Sequence, residues 1–232
     1  MADALRVAIV GAESTGKTAL AQALARRLAE LTGRRCTWVG EWLRDWCERE
    51  GRTPRPDEQA AIALHQHALI DAAAARHDLV VCDTTALMTA VYSDMLFDDR
   101  SLLPYAVAQQ RRCDITLLTA LDIAWVADGL QRDGPQVREP VDNRVRALLI
   151  GHRLPWALVA GQGPTRLEAA VDAVAPLLRR QAKPGSGLFT RLAERDAAGL
   201  AEAQAWPWLC ENCDAPDCEH AALGLRKAAR GA

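Results

Sequence analysis

The sequence predicts an α/β fold: a five-stranded parallel sheet with helices on both faces, followed by a small C-terminal metal-binding appendage. Three observations predict it. Short apolar runs alternate with longer segments of helical periodicity, and that alternation builds parallel sheets covered on both sides. Half of the 232 residues are hydrophobic, enough for one well-filled domain and a small addition. The first apolar run passes through a glycine-bounded loop directly into a helical pattern.

That first run is Leu5 to Val10, mostly apolar and therefore read as a buried parallel strand. The loop is Gly11-Ala12-Glu13-Ser14-Thr15-Gly16-Lys17-Thr18, which matches G-x-x-x-x-G-K-[ST], the phosphate-binding P-loop. Leu20, Leu24, Leu28 and Leu31 then recur at helical spacing. Strand, loop and helix together are what the chemistry requires. Backbone N–H groups close around phosphate oxygens, and the helix N-terminus supplies partial positive charge. The segment Gly11 to Ala19 is thus the expected ATP-binding element, and the fold the P-loop NTPase fold. Lys17 is expected to reach the β- and γ-phosphates and Thr18 to ligate Mg²⁺. The plain alternative, a glycine turn that happens to fit, is disfavoured because all four fixed positions and both flanks agree.

A second strand is expected at Cys36 to Val39, with a helix starting near Trp42. The Arg52–Pro56 stretch breaks it, and Pro56-Asp57-Glu58 opens another helix running to about His77. Leu79-Val80-Val81-Cys82-Asp83 is an apolar strand closed by an aspartate. Helices are expected at Leu87 to Met95 and Leu102 to Arg112, and a fourth strand at Asp114 to Leu118. Asp128 to Pro140 mixes glycines, prolines and arginines and reads as a mobile lid. A helix at Arg144 to Leu154, a fifth strand at Trp156 to Ala160 and a helix at Thr165 to Arg179 complete a kinase or ATPase domain over residues 1–180. Residues 181–187 read as a linker. Residues 188–232 hold a further helix and a cysteine-rich tail.

Asp83 is followed by Thr84-Thr85 rather than by the glutamate that orients water in many hydrolytic P-loop proteins. Asp83 is therefore expected to hold Mg²⁺, directly or through water; the competing reading is a turn-capping aspartate. Glu41 stands just past the second strand, at the sheet edge where ligands bind. There it can take a proton from an attacking hydroxyl or hold sugar hydroxyls, or merely start a helix. Arg44, one turn on, shares that cleft or lies on a solvated face. Arg132 and Arg138, with Asp128, fall in the lid segment, where guanidinium groups can neutralise a transferring phosphoryl group. Trp42 and Trp125 can stack on a flat base or pyridinium, against core packing as the default. His65 and His67 lack partners at ligand spacing and are read as structural.

The P-loop, then Trp38-Val39-Gly40-Glu41-Trp42-Leu43-Arg44, His65-Gln66, Val81-Cys82-Asp83-Thr84 and Trp125-Val126-Ala127-Asp128-Gly129-Leu130 together resemble the kinase module of NadR-type NAD-biosynthesis proteins. The resemblance covers about residues 5–180. It implies a ribosylnicotinamide kinase that moves the γ-phosphate of ATP to the 5′-hydroxyl of nicotinamide riboside or a related nucleoside. The catalytic set would be Lys17, Glu41, Asp83, Arg132 and Arg138, and the substrate-binding set Glu41, Trp42, Arg44, Trp125 and Asp128. Three departures stand out. The family often reads Asp-Thr-Asp at the third strand, where this chain has Thr85; no adenylyltransferase or helix-turn-helix region precedes the module; and the tail lies outside it.

In the tail, Cys210, Cys213, Cys218 and His220 lie within eleven residues. Thiolates and imidazole suit tetrahedral Zn²⁺, with an iron–sulfur cluster or unligated thiols as alternatives. Residues 181–232 carry six Lys or Arg and seven Asp or Glu, so nucleic acid is not an expected partner. The chain's net charge of −2 argues the same way and against anionic membranes. With no apolar run of about 20 residues and scattered cysteines, a cytoplasmic protein is expected. A second functional class stays open: an ATP-binding regulatory or sensor protein whose metal-bound tail contacts a partner.

Overall fold

The computed structural model describes residues 3–126 and 134–181. The chain divides at Leu177 into two units, and every described site residue discussed below lies in the first. Five strands form one parallel sheet: β1 (Leu5–Val10), β2 (Cys36–Val39), β3 (Leu79–Asp83), β4 (Ile115–Thr119) and β5 (Trp156–Val159), in the order β2-β3-β1-β4-β5. All five expected strands are present, within a residue at their ends. β1 is central, flanked by β3 and β4, with Ile9 beside Asp83 and Val10 beside Leu118. That register places Asp83 next to the strand that feeds the P-loop.

The helices are α1 (Lys17–Thr32), α2 (Trp42–Glu50), α3 (Gln59–Ala74), α4 (Ala86–Phe97), α5 (Leu103–Gln110), α6 (Arg138–Gly151) and α7 (Gly163–Gln181). Leu20, Leu24 and Leu28 form the buried stripe of α1. Each such leucine contributes about 1.5–3 kcal/mol by leaving water. α1 stops where Gly33 takes the left-handed conformation at φ 65° and returns its N–H to the Ala29 carbonyl. One side of the sheet is filled by Leu87, Val91, Leu118, Val141, Val145 and Leu149, joining α4, β4 and α6. Another cluster joins β2, β3 and α3 through Val39, Val80, Cys82 and Ile70.

Two boundaries differ from the sequence reading. The segment Pro56–Glu58 is a separate 3-10 turn before α3, fixed by Arg52. Its guanidinium meets both Glu58 carboxylate oxygens at 2.7 Å and holds that carboxyl down to about 2. The helix expected from Arg144 instead starts six residues earlier, at Arg138, after a 3-10 turn at Pro135–Val137. Pro140 falls in its first turn, where an N–H has no intrahelical acceptor to lose. The 135–140 part of the expected lid is therefore helical. No described helix is long and apolar enough to cross a membrane. The tail residues Cys210, Cys213, Cys218 and His220 lie outside the described residues, as do Asp128 and Arg132.

Candidate active site

The P-loop closes the C-terminal end of β1. Gly11 has φ 145°, and a Cβ there would collide with the Thr119 hydroxyl; only glycine lets the loop leave the sheet this close to β4. Behind it, the Thr15 hydroxyl bonds the Ala12 carbonyl at 2.8 Å and meets the Thr119 hydroxyl at 2.7 Å. Gly16, at φ 74°, is the N-cap of α1, so the first amides of the helix are presented to the loop's interior. Lys17 opens the helix, with its ammonium 2.9 Å from the Ala12 carbonyl, and Thr18 and Ala19 follow in the first turn. Glu13 is buried in the loop. Ser14, at φ 55°, accepts from the Val126 N–H at 2.8 Å and donates back to its carbonyl at 3.2 Å. The loop thereby holds the strand exit that carries Trp125 and Val126.

Asp83 ends β3 and is 1% exposed. Among the described residues neither carboxylate oxygen meets a hydrogen-bond partner within bonding geometry. Burial pushes its pKa up, against the opposing pull of the Thr18 hydroxyl, Lys17 and Arg44. The Thr18 hydroxyl lies near and favours the anion. A buried, unmatched carboxylate beside a hydroxyl is a pair of hard oxygen donors, which fits a small divalent cation. Among the described residues no group of three or more His, Cys, Asp or Glu is arranged to hold a metal. A cation here would therefore need water and phosphate oxygens to complete its shell, as Mg²⁺ usually has.

Glu41 occupies the N-cap position of α2, yet its side chain makes no capping bond. It is 15% exposed and its Oε2 lies 3.9 Å from Arg44 Nε. Because Arg44 also favours the Asp83 anion, the Glu41–Arg44 step and the β3 end face one region. What fixes that step is Gln66, a residue given no role from sequence. It is 3% exposed, accepts from the Trp42 N–H at 2.7 Å and donates to the Gly40 carbonyl at 3.1 Å. One amide thus holds the backbone on both sides of Glu41. Trp42 is itself backed by His65, with ring centroids 4.1 Å apart, and by the Arg49 guanidinium 5.2 Å from its ring. Trp42 is therefore engaged by the protein already, and His65 supports it rather than binding metal. Trp125 is half-buried, with an indole N–H unmatched among the described residues.

Thr85 is not an acid because it has another task. Its hydroxyl caps α4 by accepting from the Leu87 N–H and donates to the Gln110 side-chain oxygen at 2.6 Å; the Gln110 amide in turn donates to Thr116 at 2.7 Å. A carboxylate could not donate in that buried chain. Arg138, expected in a lid, sits at the start of α6 and is 8% exposed, with Nε and Nη2 unmatched among the described residues. A buried guanidinium with idle donors is suited to an anion. It lies close enough to Arg166 on α7 to work with burial in lowering the pKa of Arg166, while Asp122 opposes. Arg166 carries no motif signal in the sequence.

An AAA domain family matches residues 6–166. The chain belongs to that family. No curated protein matches it by sequence. Among solved structures it is similar to a NadR protein in complex with NAD and AMP-PNP, at 21% identity over 75% of this chain and 49% of that one, TM-score 0.59. A NadR protein in complex with NR matches at 21% identity over 75% and 50%, TM-score 0.58. A deoxyadenosine kinase from M. mycoides matches at 11% identity over 75% of this chain and all of that one, TM-score 0.51. The chain spans about half the length of the NadR chains. These likenesses establish a P-loop kinase-like fold.

Proposed function

We propose that the protein is an ATP-dependent small-molecule kinase that phosphorylates the 5′-hydroxyl of nicotinamide riboside or a related nucleoside. The observation that carries this reading is the meeting of two halves at one edge of the sheet: Lys17, Thr18 and Asp83 on the phosphate side, and the Glu41–Arg44 step facing Asp83. A hydrolase would need a group that activates water beside Asp83, and neither residue that follows it, Thr84 or Thr85, is a carboxylate, while the Thr85 hydroxyl is taken up in capping α4. The resemblance to NadR-type kinases, one relative of which was solved with NR, supplies the acceptor class.

In this reading the P-loop amides and Lys17 bind the β- and γ-phosphates and neutralise charge as it moves toward the leaving oxygen. Thr18 and Asp83 would hold Mg²⁺, which would supply further neutralisation of phosphate charge. Glu41 accepts the proton of the 5′-hydroxyl as its oxygen bonds to the γ-phosphorus; the bond to the β,γ-bridging oxygen breaks and its electrons leave with ADP. Arg44 orients Glu41, and Arg138 offers its idle donors to the transferring group. Positioning is most of the catalysis, which is why Gln66 matters to Glu41. The test is a γ-labelled ATP screen over nicotinamide riboside, nucleosides and nucleoside monophosphates. The expected result is label on a nucleoside 5′-oxygen. ATP binding with no label on any acceptor would refute the kinase reading and favour a nucleotide sensor.

A further inference from the structure

Arg166 is a buried cation that the scheme above does not use. It is 3% exposed, and its guanidinium joins three separate stretches of chain. Nη1 donates to the Thr15 carbonyl in the P-loop at 2.9 Å. Nη2 donates to the Ala120 carbonyl after β4 at 3.0 Å, to Asp122 Oδ1 at 3.1 Å and to the Val159 carbonyl at the end of β5 at 3.3 Å. Asp122 extends the network: its other oxygen accepts the Gly161 N–H at 2.5 Å, and its carbonyl accepts the Gln162 amide at 3.2 Å. Packing alone does not call for a guanidinium here, since burying a charge is costly unless its donors are used. A planar fork reaches several acceptors at once where an ammonium cannot.

The Thr15 contact has a geometric consequence. The Thr15 carbonyl and the Gly16 N–H belong to one planar trans peptide and point in opposite directions. Holding the carbonyl from outside aims the N–H inward. Gly16 has the left-handed backbone that lets this peptide turn, and Arg166 Nη1 lies 3.9 Å from where a Gly16 Cβ would be. We propose that Arg166 is a nucleotide-positioning residue: by gripping the Thr15 carbonyl it aims the Gly16 N–H into the phosphate cradle, and by gripping Ala120, Asp122 and Val159 it sets the loops after β4 and β5 against that cradle. The ligand it prepares for is a nucleoside di- or triphosphate. The inference rests on the P-loop reading but not on the identity of the acceptor.

The experiment measures the Kd of the full-length chain for fluorescent Mg·ADP, well below the melting temperature of each variant, together with that temperature. Losing hydrogen bonds from a charged group corresponds to roughly a 10- to 100-fold rise in Kd for Arg166→Ala. Arg166→Lys, which can satisfy one acceptor cluster but not both, should fall between that and wild type. Asp122→Asn should raise Kd by a smaller factor. A structural role alone would lower the melting temperature and leave the Kd of the folded protein unchanged; that result overturns the proposal. Should Arg166→Ala not fold, unchanged Kd in both Arg166→Lys and Asp122→Asn overturns it equally. Lys17→Ala separates the two readings: if it binds Mg·ADP like wild type, the nucleotide sits elsewhere and the positioning role falls with the P-loop assignment.

Discussion

Asp83→Asn should stabilise the protein on its own and disable its response to nucleotide. Asp83 is 1% exposed with both oxygens unmatched, and the nearby Lys17, Thr18 and Arg44 do not outweigh the cost of burying the charge. Asparagine keeps the shape and removes the charge, so the ligand-free protein should gain about 1–2 kcal/mol. For a domain of this size that is roughly 2–8 °C in Tm. Mg²⁺ and AMP-PNP at a hundredfold over Kd should raise wild-type stability by about 2.7 kcal/mol, and the variant's by much less. The pH dependence has a definite sign. The folded-state pKa lies above its ordinary value of 3.8, so the native state holds the proton longer than the unfolded chain. The stability this contributes below pH 3.8 is lost as pH rises through the folded pKa. The Tm gap between Asp83→Asn and wild type should therefore open with rising pH and then level off. Thermal melts with and without Mg²⁺ and AMP-PNP, from pH 4 to 8, measure all of this. A variant less stable than wild type without ligand, with an intact nucleotide shift, would make Asp83 a structural cap and refute the reasoning.

Other outcomes follow from the same geometry. Lys17→Ala should cut phosphoryl transfer by at least about 10²–10³-fold with little change in Tm; steady-state transfer within threefold of wild type would contradict the P-loop role. Glu41→Gln should lower kcat by about 10²–10⁴-fold while the KM for ATP stays near wild type, because Glu41 faces the acceptor; an unchanged kcat would leave it a helix-start residue. On the sequence alone, with Cys210, Cys213, Cys218 and His220 outside the described residues, elemental analysis should return about one zinc per chain; protein that holds no zinc would defeat that reading.

The strands were readable because each is a short apolar run with a polar or glycine end, and parallel strands need nothing subtler. The P-loop was readable because phosphate binding fixes residue types at fixed spacing. In sequence, Pro135 and Pro140 look like breakers and push the expected start of α6 to Arg144, although a proline in a helix's first turn costs nothing. The site residues whose roles the sequence does not show act through the backbone. Gln66 and Arg166 hold carbonyls and N–H groups belonging to other segments, and a backbone acceptor leaves no mark on the sequence of the residue it belongs to. Arg166 shows only as an arginine near the start of a helix. Gln66 shows in the His65-Gln66 pair of the family resemblance, but without a role, and as a polar residue on the face of α3 that also buries Ile62, Ala63 and Ile70. Thr85 shows in sequence only as a departure from the family's acid, because its partner Gln110 is 25 residues away and only the fold brings the two together.

The most direct measurement is the phosphorus balance of the reaction, followed by ³¹P NMR with Mg·ATP and nicotinamide riboside in the presence of the full-length chain. The account predicts equal amounts of ADP and a phosphomonoester coupled to the 5′ protons of the ribose, with no inorganic phosphate beyond the background, and none of these with Lys17→Ala. Inorganic phosphate in step with ADP, or ATP bound and left intact beside every nucleoside offered, would contradict it.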